Sequence, residues 1–279
     1  MRIDAHQHFW NYDAAEYGWI ADNGLDALAR SFGPEDLRPL LDAKNIDGCI
    51  AVQARQTLEE SRWLLGLARE HPWILGVVGW ADLASPGLAA DLDELGQVSQ
   101  ESSDRLVGLR HVVQDEAPGF LDQTAFREGV REVGRRGLTY DVLVFARQMS
   151  EAARFCADLS GQQLVLDHIG KPEIAGGRLD GWLEPMKELG RMDHVTVKLS
   201  GLVTEADHSA WTDADLRPFL DATLEAFGPA RLMAGSDWPV CTLAAPHAET
   251  FRIVEDWAAP LSDSERASIF GGCAAAAYL

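Results

Sequence analysis

The sequence predicts an α/β fold, a (β/α)8 barrel formed by a single domain that spans residues 1–279. Three observations predict it: short apolar segments alternate with helical segments along the whole chain, the length suits one barrel, and the composition provides a core. A barrel of this kind commonly takes ~250 residues, and this chain has 279. Hydrophobic residues make up 47% of the chain and charged residues only 24%, so a sizeable core can be buried.

The predicted strands are short apolar runs bounded by turn or helix signals. Such alternation is typical of parallel βαβ units, and eight units are the number that closes a barrel. A doubly wound open sheet is the alternative, but His6-Gln7-His8 follows the first strand, where a dinucleotide-binding glycine motif would stand. The eight runs are Arg2–His6, Gly48–Val52, Ile74–Trp80, Leu106–Arg110, Leu138–Val142, Gln163–Asp167, Val195–Leu199 and Arg231–Ala234.

Helix start and stop signals separate these strands. Three segments place an acidic residue three positions after a hydroxyl residue, which is the capping-box pattern of a helix start. They are Thr57–Glu60, Thr212–Asp215 and Ser262–Glu265. Helix ends are indicated by Gly137, Gly161 and Gly228. The segment Asn11–Phe32, rich in Trp and Tyr, is predicted to be a long loop over the active face of the barrel.

Charge and cysteine content exclude several classes of protein. The chain has 24 Lys and Arg against 44 Asp and Glu, a net charge of −20, so no nucleic-acid or anionic-membrane partner is expected. The longest apolar stretches, such as Ile74–Trp80, are shorter than the ~20 residues that cross a bilayer, and no signal peptide is recognised. We expect a cytoplasmic, soluble protein, and its oligomeric state, including a homo-oligomer, stays open. Four cysteines without a CxxC pair are expected to be buried thiols: Cys49, Cys156, Cys241 and Cys273.

The first chemical signal is the segment Asp4-Ala5-His6-Gln7-His8. Residues two apart on a strand point to the same side, so Asp4, His6 and His8 are expected to line one side of the first strand. Two neighbouring imidazoles suit a shared metal ion, with the carboxylate orienting them from behind. A pair of hydrogen-bonded structural histidines is the alternative.

Polar residues also follow later strands. Asp237 comes directly after the eighth strand, which a closed barrel places beside the first strand. His168 follows the sixth strand, Arg110-His111 ends the fourth, and Tyr140-Asp141 lies in the fifth. Each of these residues also has a structural explanation when it is considered alone. Asp237 is explained as the N-cap of the following segment, and the Gly-Lys-Pro after His168 as a surface turn. Taken together, titratable groups at the carboxyl ends of several strands predict a barrel active site.

These motifs, in this order, resemble the amidohydrolase superfamily, in its amidohydrolase-related branch. Within that branch, the chain is most similar to bacterial sugar-lactone hydrolases of the L-fuconolactonase and L-rhamnonolactonase kind. The motifs cover nearly the whole chain, and they are specific as a set although no single one is. They are Ile3–Trp10, Gly108–His111, Leu166–Pro172, Lys198–Gly201 and Gly235–Pro239.

The resemblance implies a metal-capable site made of four residues, His6, His8, His168 and Asp237. Two departures from the superfamily pattern argue against a binuclear centre. No bridging lysine or glutamate stands on the fourth strand, and Tyr140-Asp141 replaces the ligand histidine of the fifth. One divalent ion is expected. Its imidazole and carboxylate ligands indicate zinc. Whether turnover needs the ion stays open, because some relatives in this branch work without one.

The implied reaction is the opening of a sugar lactone to the free aldonic acid. Asp237 is expected to take a proton from water as general base and to return it to the departing ring oxygen as general acid. His168 and His111 are the other predicted catalytic residues, the latter among the donors that meet the oxyanion. Sugar hydroxyls and the ring face are expected to contact five residues, namely Trp10, Arg55, Arg110, Lys171 and Trp238, with Trp80 as a further aromatic candidate.

Two rival functions stay open at the level of sequence. The same branch contains hydrolases and non-oxidative decarboxylases that act on aromatic-derived carboxylic acids, and Arg55 and Arg110 could bind a dicarboxylate. The second rival is a barrel that binds a sugar or a partner protein without catalysis. The identity and ring size of the lactone are set by loops whose shape the sequence does not reveal.

Overall fold

Eight parallel strands form the centre of the molecule. The computed structural model of the chain describes residues 1–101 and 105–279. Each strand pairs with the next one along the chain, in the order β1 to β8, which confirms the predicted fold class. The strands are β1 (Ile3–Gln7), β2 (Gly48–Val52), β3 (Ile74–Gly79), β4 (Leu106–His111), β5 (Thr139–Val142), β6 (Leu164–Leu166), β7 (Val195–Leu199) and β8 (Leu232–Ala234).

The barrel closes just beyond the end of β8. A parallel bridge joins Gln7 of β1 to Trp238. The amide of Asp237 donates to the carbonyl of His6 over 2.8 Å, and the amide of His8 donates to the carbonyl of Trp238 over 2.7 Å. Backbone hydrogen bonds therefore join residues that are far apart in the sequence, at one rim of the barrel.

Helices cover the outside of the barrel and its amino-terminal end. Among the described residues, no helix combines the length and the apolar character that crossing a bilayer requires. The helices are α1 (Gly18–Asp22), α2 (Pro34–Ala43), α3 (Leu58–Glu70), α4 (Leu88–Glu101), α5 (Thr124–Arg135), α6 (Met149–Ala157), α7 (Leu183–Gly190), α8 (Asp213–Phe227), α9 (His247–Ala258), α10 (Asp263–Ala267) and α11 (Cys273–Tyr278).

One of the three predicted capping boxes forms in full, at α10. At α8 the Asp215 carboxylate accepts from the amide and the hydroxyl of Thr212, but the hydroxyl accepts no amide of the helix. At α3, Thr57 accepts a hydrogen bond from the amide of Glu60 over 3.2 Å, but the Glu60 carboxylate turns away. It accepts instead from the amides of Ala54 and Arg55 in the preceding loop. Only half of that predicted box exists, because the loop offers the carboxylate two unpaired N–H groups.

The predicted glycine helix ends are confirmed at two positions. Gly137 and Gly228 follow their helices with φ of 74° and 67°, a left-handed conformation that glycine adopts without strain. Gly161, by contrast, lies four residues after the last residue of α6 and does not have a left-handed φ.

The apolar core is divided into two layers. The larger one lies between the strands and the surrounding helices. The smaller one fills the barrel interior with side chains such as Ile50, Val78 and Val165, and α11 packs against it. All four cysteines are buried and free, as predicted. The amino-terminal half of the interior is thus filled, which leaves polar chemistry to the other end.

Candidate active site

A cavity of about 840 Å³ opens at the carboxyl ends of the strands. Its base includes His8, Arg110, His168 and Asp237, and loops that follow β1, β2 and β7 form its walls. This is the end of a (β/α)8 barrel where active sites lie. The cavity is large enough for a six-membered ring that carries several substituents.

The four residues predicted as metal ligands lie together at this base, and all four are buried. The Asp237 Oδ1 atom lies 3.4 Å from His8 Nε2 and 3.9 Å from the Nε2 atoms of both His6 and His168. The Nε2 atoms of His6 and His8 are 3.1 Å apart. The ligand atoms of His6, His8 and Asp237 therefore lie within 4.8 Å of one another, and His168 Nε2 approaches the same carboxylate.

The backbone at two of these residues is forced into an uncommon conformation. His168 and Asp237 have φ of 52° and 58°, in the left-handed region that non-glycine residues rarely occupy. A side chain at Gly201 would bring its Cβ within 2.7 Å of His168 Nδ1, so only glycine leaves room for this ring. Strained backbone of this kind clusters at functional sites.

Each imidazole is oriented through its second ring nitrogen. His8 Nδ1 lies 2.8 Å from the carbonyl of Val52, to which it donates. His168 Nδ1 lies 2.9 Å from the Ser200 hydroxyl. His6 Nδ1 lies 3.4 Å from Asp167 Oδ1. Such partners fix the ring orientation and leave Nε2 to face the cavity.

Asp4 does not orient the imidazoles, contrary to the sequence prediction. Three residue steps of β1, from Asp4 to Gln7, oppose only two steps of β2, because β1 contains a bulge. A shift by one residue turns side chains to the other side of a sheet. Asp4 consequently accepts hydrogen bonds from the Ser236 hydroxyl at 2.6 Å and from His247 of α9 at 3.3 Å. It anchors the segment that carries Asp237.

Sequence reasoning missed a buried charged cluster directly beneath His6. Lys198 of β7 lies 2.5 Å from Asp141 Oδ2, 3.0 Å from Asp167 Oδ1 and 3.1 Å from His6 Nδ1. Arg110 donates to Asp167 over 3.1 Å. The signal that could have found it is a single lysine inside the apolar strand Val195–Leu199, since an isolated buried lysine needs anionic partners.

The electrostatics of the site favour the ionised forms of Asp237 and Asp167 and the neutral forms of His6 and His168. Burial alone would raise the pKa of Asp237, but the neighbouring His168 and the hydrogen bond from His8 outweigh it and hold the pKa below its usual value. Burial opposes ionisation of Asp167 as well, and Lys198 followed by His6 lowers its pKa. Burial lowers the pKa of His168 to about 4.

The donor set fits one divalent ion. Bonds of ~2.0–2.1 Å to a tetrahedral ion place neighbouring ligand atoms roughly 3.3 Å apart. The separations among His6 Nε2, His8 Nε2 and Asp237 Oδ1 are 3.1, 3.4 and 3.9 Å, close to that value. Imidazole nitrogens and a carboxylate are ligand types that zinc prefers.

The predicted substrate-binding cations line the cavity, Arg110 at its base and Arg55 and Lys171 on its wall, but each has a carboxylate partner. Arg55 pairs with Glu16 from the first loop. The Lys171 ammonium lies 3.6 Å from the nearest Glu205 oxygen, and Arg110 pairs with Asp167 as described. Trp10 borders the cavity as well, and its indole N–H donates to the carbonyl of Arg30 over 2.7 Å.

Two predicted site residues are not on the cavity wall. His111 follows Arg110 on β4, so it faces the helices, stacks on Phe120 at 4.9 Å and lies 2.9 Å from a Glu116 oxygen. Its predicted catalytic role is wrong on this geometry, because adjacent strand residues point to opposite sides. Trp238 packs edge to face on Phe9 and Phe32 behind the cavity, so it is not an aromatic wall.

Trp80 is not on the wall either. Its indole N–H donates to His111 Nδ1 over 3.3 Å, on the helix side of the barrel. The aromatic candidates therefore reduce to Trp10, together with Phe145 after β5 and with Trp19 of α1, which lies in the segment Asn11–Phe32 predicted to cover the active face.

A closed parallel barrel with a metal-capable cluster of histidines and aspartate at its carboxyl rim defines the class of barrel hydrolases. The chain belongs to the amidohydrolase family, whose sequence profile matches residues 3–279. This confirms the resemblance predicted from the motifs.

Two curated relatives share a name. An L-fucono-1,5-lactonase of Burkholderia multivorans is 46% identical over 100% of this chain and 96% of its own. An L-fucono-1,5-lactonase of Burkholderia ambifaria is 35% identical over 100% of this chain and 95% of its own. A crystal structure of an amidohydrolase from B. multivorans with bound zinc superimposes with a TM-score of 0.93 at 45% identity, covering 100% and 99% of the two chains.

A more distant structure, described as a 2-pyrone-4,6-dicarboxylic acid hydrolase from Pseudomonas putida, has a TM-score of 0.78 at 20% identity and covers 99% of this chain and 96% of its own. At that identity the likeness is one of fold alone.

Proposed function

We propose that the protein hydrolyses a sugar-acid lactone of the L-fuconolactone kind, an aldonolactone, to the free aldonic acid. The observation that carries the proposal is the ionised, buried carboxylate of Asp237, held among three imidazoles at the base of a polar cavity. The two curated relatives with lactonase names support this choice of substrate.

Lactone hydrolysis needs an activated water, stabilisation of an oxyanion, and a proton for the leaving oxygen. Asp237 accepts the proton of the attacking water, whose oxygen bonds to the carbonyl carbon. When the ring C–O bond breaks, Asp237 returns that proton to the alkoxide. The lowered pKa keeps Asp237 in the ionised form that can accept this proton, and it makes the protonated carboxyl a ready donor to the alkoxide.

The ligands that we assign to the metal are His6, His8, His168 and Asp237, and the metal is zinc. When bound, the ion supplies positive charge beside the carbonyl oxygen. The chain itself contributes Arg110, whose guanidinium lies 3.3 Å from His6 Nε2 and borders the cavity. A fixed cation at this position favours the negative charge that develops on the oxyanion.

The charge of the cavity favours a neutral, hydroxylated substrate over a carboxylated one. Within the described part of the chain, the cavity is lined by three Lys or Arg side chains and five carboxylates. The described lining residues therefore carry no excess of positive charge with which to bind an anionic substrate. Paired ions such as Arg55–Glu16 and Lys171–Glu205 can donate to and accept from sugar hydroxyls instead. This disfavours the rival decarboxylase on an aromatic-derived acid.

A turnover screen with a pH indicator tests the proposal. We expect acid release from neutral aldonolactones, six-membered rings first, above the rate of spontaneous opening, and no turnover of carboxylated unsaturated acids. Decarboxylation would consume a proton and shift the indicator the other way. Micromolar binding of lactones with no turnover of any of them would favour the non-catalytic barrel and overturn the proposal.

A further inference from the structure

A tyrosine from the opposite end of the barrel reaches the charged cluster beneath His6. Tyr278 of α11 is buried and packs with the apolar side chains of the barrel interior. Its hydroxyl lies 2.8 and 2.9 Å from the two carboxylate oxygens of Asp141, and it donates to this carboxylate. Nothing in the proposed reaction assigns a role to this contact.

The contact continues without interruption to a residue of the site. Asp141 Oδ2 is 2.5 Å from the Lys198 ammonium, which is in turn 3.1 Å from His6 Nδ1 and 3.0 Å from Asp167 Oδ1. All these side chains except Tyr278 are fully buried, and the hydroxyl itself is enclosed. The links from Tyr278 to Asp141, Lys198 and Asp167 are charge-assisted hydrogen bonds or ion pairs in a water-poor interior, where such contacts are strong and directional. The last link is Asp167 Oδ1, 3.4 Å from His6 Nδ1, because the Nδ1 atom carries the proton when Nε2 is left free for a metal.

We propose that Tyr278 is a positioning residue of the active site, which acts through Asp141 and Lys198 on the orientation of the His6 ring. The inference rests on the proposed lactonase function for its kinetic consequences. Its consequence for metal binding is independent of the substrate, because His6 is one of the residues grouped as possible metal ligands with His8 and Asp237.

The direction of the effect follows from the contacts. Lys198 is shared between Asp141 on one side and His6 with Asp167 on the other. Without the Tyr278 hydroxyl, the Asp141 carboxylate loses a donor to both of its oxygens, and the ammonium is the remaining nearby donor that can replace it. Lys198 then moves toward Asp141 and away from Asp167, so the carboxylate that faces His6 Nδ1 loses its fixed position.

If Tyr278 contributed only packing, removing its hydroxyl would leave zinc affinity and kcat unchanged. Phenylalanine at position 278 keeps the ring that packs in the interior cluster and removes only the oxygen. A matched control is Tyr140→Phe: this tyrosine is also fully buried, but its ring packs on Phe126 and Phe155 among the outer helices, away from Lys198. Both variants lose one buried hydroxyl, and only one of them loses the link to His6.

The test measures zinc affinity by competition with a chromogenic chelator, together with kcat and KM for the best lactone. For Tyr278→Phe we expect a zinc dissociation constant raised about 10-fold, the lower end for loss of a partner behind a ligand. We also expect kcat to fall several-fold while KM stays within about twofold, because the cavity wall is unchanged. Tyr140→Phe is expected to match the wild type in all three.

Equal zinc affinity and equal kcat for the two folded variants would overturn the inference. If Tyr278→Phe does not fold, Asp141→Asn cuts the same link one step closer to Lys198, and wild-type zinc affinity and kcat in that folded variant would overturn it equally. If the wild type opens no lactone, the proposed function fails, and the zinc measurement alone still decides the role of Tyr278.

Discussion

The base and the wall of the cavity are built by different means. At the base, His6, Lys198 and Asp167 come from strands or strand ends, are fully buried, and contact one another directly. At the wall, Arg55 and Glu16 come from two different loops and meet as an ion pair at the cavity edge. Strand register thus places the reacting groups, and loop-to-loop contacts place the groups that meet the substrate.

The wall depends on one buried carboxylate. Glu60 accepts hydrogen bonds from the amides of Ala54 and Arg55 at 2.9 and 2.7 Å, and from the hydroxyl of Tyr17 at 3.2 Å. It therefore joins the loop after β2 to the loop after β1. The base has many such links and the wall has few, so substitutions at the base should affect catalysis, while those at the wall should affect substrate affinity and local stability.

The largest effect is expected at the base. Asp237→Asn keeps the shape of the side chain but removes its basicity, so kcat should fall by a factor of about 100 to 10,000. The measurement is kcat at saturating lactone, corrected for spontaneous opening. A folded variant with near-normal turnover would remove Asp237 from the mechanism and make the base of the cavity a binding site only.

The second effect concerns the pH dependence of stability at the wall. Burial, more than any other cause, raises the pKa of Glu60 from 4.5 to about 7, although its hydrogen bonds oppose the rise. The folded protein thus binds a proton that the unfolded chain releases between these pH values. Its free energy of unfolding should fall by about 3 kcal/mol from this residue as pH rises through that interval.

Glu60→Gln removes this titration, so the free energy of unfolding of the variant relative to wild type should increase from pH 4.5 to 7.5. Urea unfolding at a series of pH values measures the difference. Glu70→Gln, at the exposed end of the same helix, is the matched control and should follow the wild type. If the free energies of unfolding of Glu60→Gln and wild type changed in parallel with pH, Glu60 would be ionised in the folded protein at low pH as well.

The third effect is on substrate affinity. Arg55→Ala removes one charged donor from the wall and leaves Asp237 and its imidazole partners in place, so KM should rise about 10-fold with kcat changed less than threefold. Steady-state kinetics separate the two parameters. A loss confined to kcat would show that the wall takes part in the chemistry and would end the distinction between the two regions.

The sequence predicts the base of the cavity better than its wall, for a physical reason. Parallel strands end at one rim, so polar residues at strand ends meet there whatever the loops do, and the grouping of His168 with Asp237 follows from chain order alone. The bulge that turns Asp4 away depends on register against β2. The position of Lys198 relative to Asp141 likewise requires the tilt of the barrel.

Contacts between loops are harder to predict from the sequence than the positions of residues at strand ends. Glu60 matches a capping box, and nothing local distinguishes a carboxylate that turns to its own helix from one that turns to a loop. The error at His111 was avoidable, since Arg110 and His111 are adjacent on one strand and cannot both face the interior.

The smallest effect should therefore be at His111. Its ring packs on Phe120 and faces Glu116 on the helix side of the barrel, so His111→Gln should leave kcat and KM within about twofold of wild type while costing ~1 kcal/mol of stability through lost contacts. Arg110→Lys is the matched contrast: it keeps the charge, loses the two-pronged hydrogen bonding to Asp167 and the Gln53 carbonyl, and should lower kcat/KM about 10-fold or more. A tenfold loss of kcat/KM in a stable His111→Gln protein would mean that the His111 ring contacts the substrate. That result would contradict its placement on the helix side of the barrel.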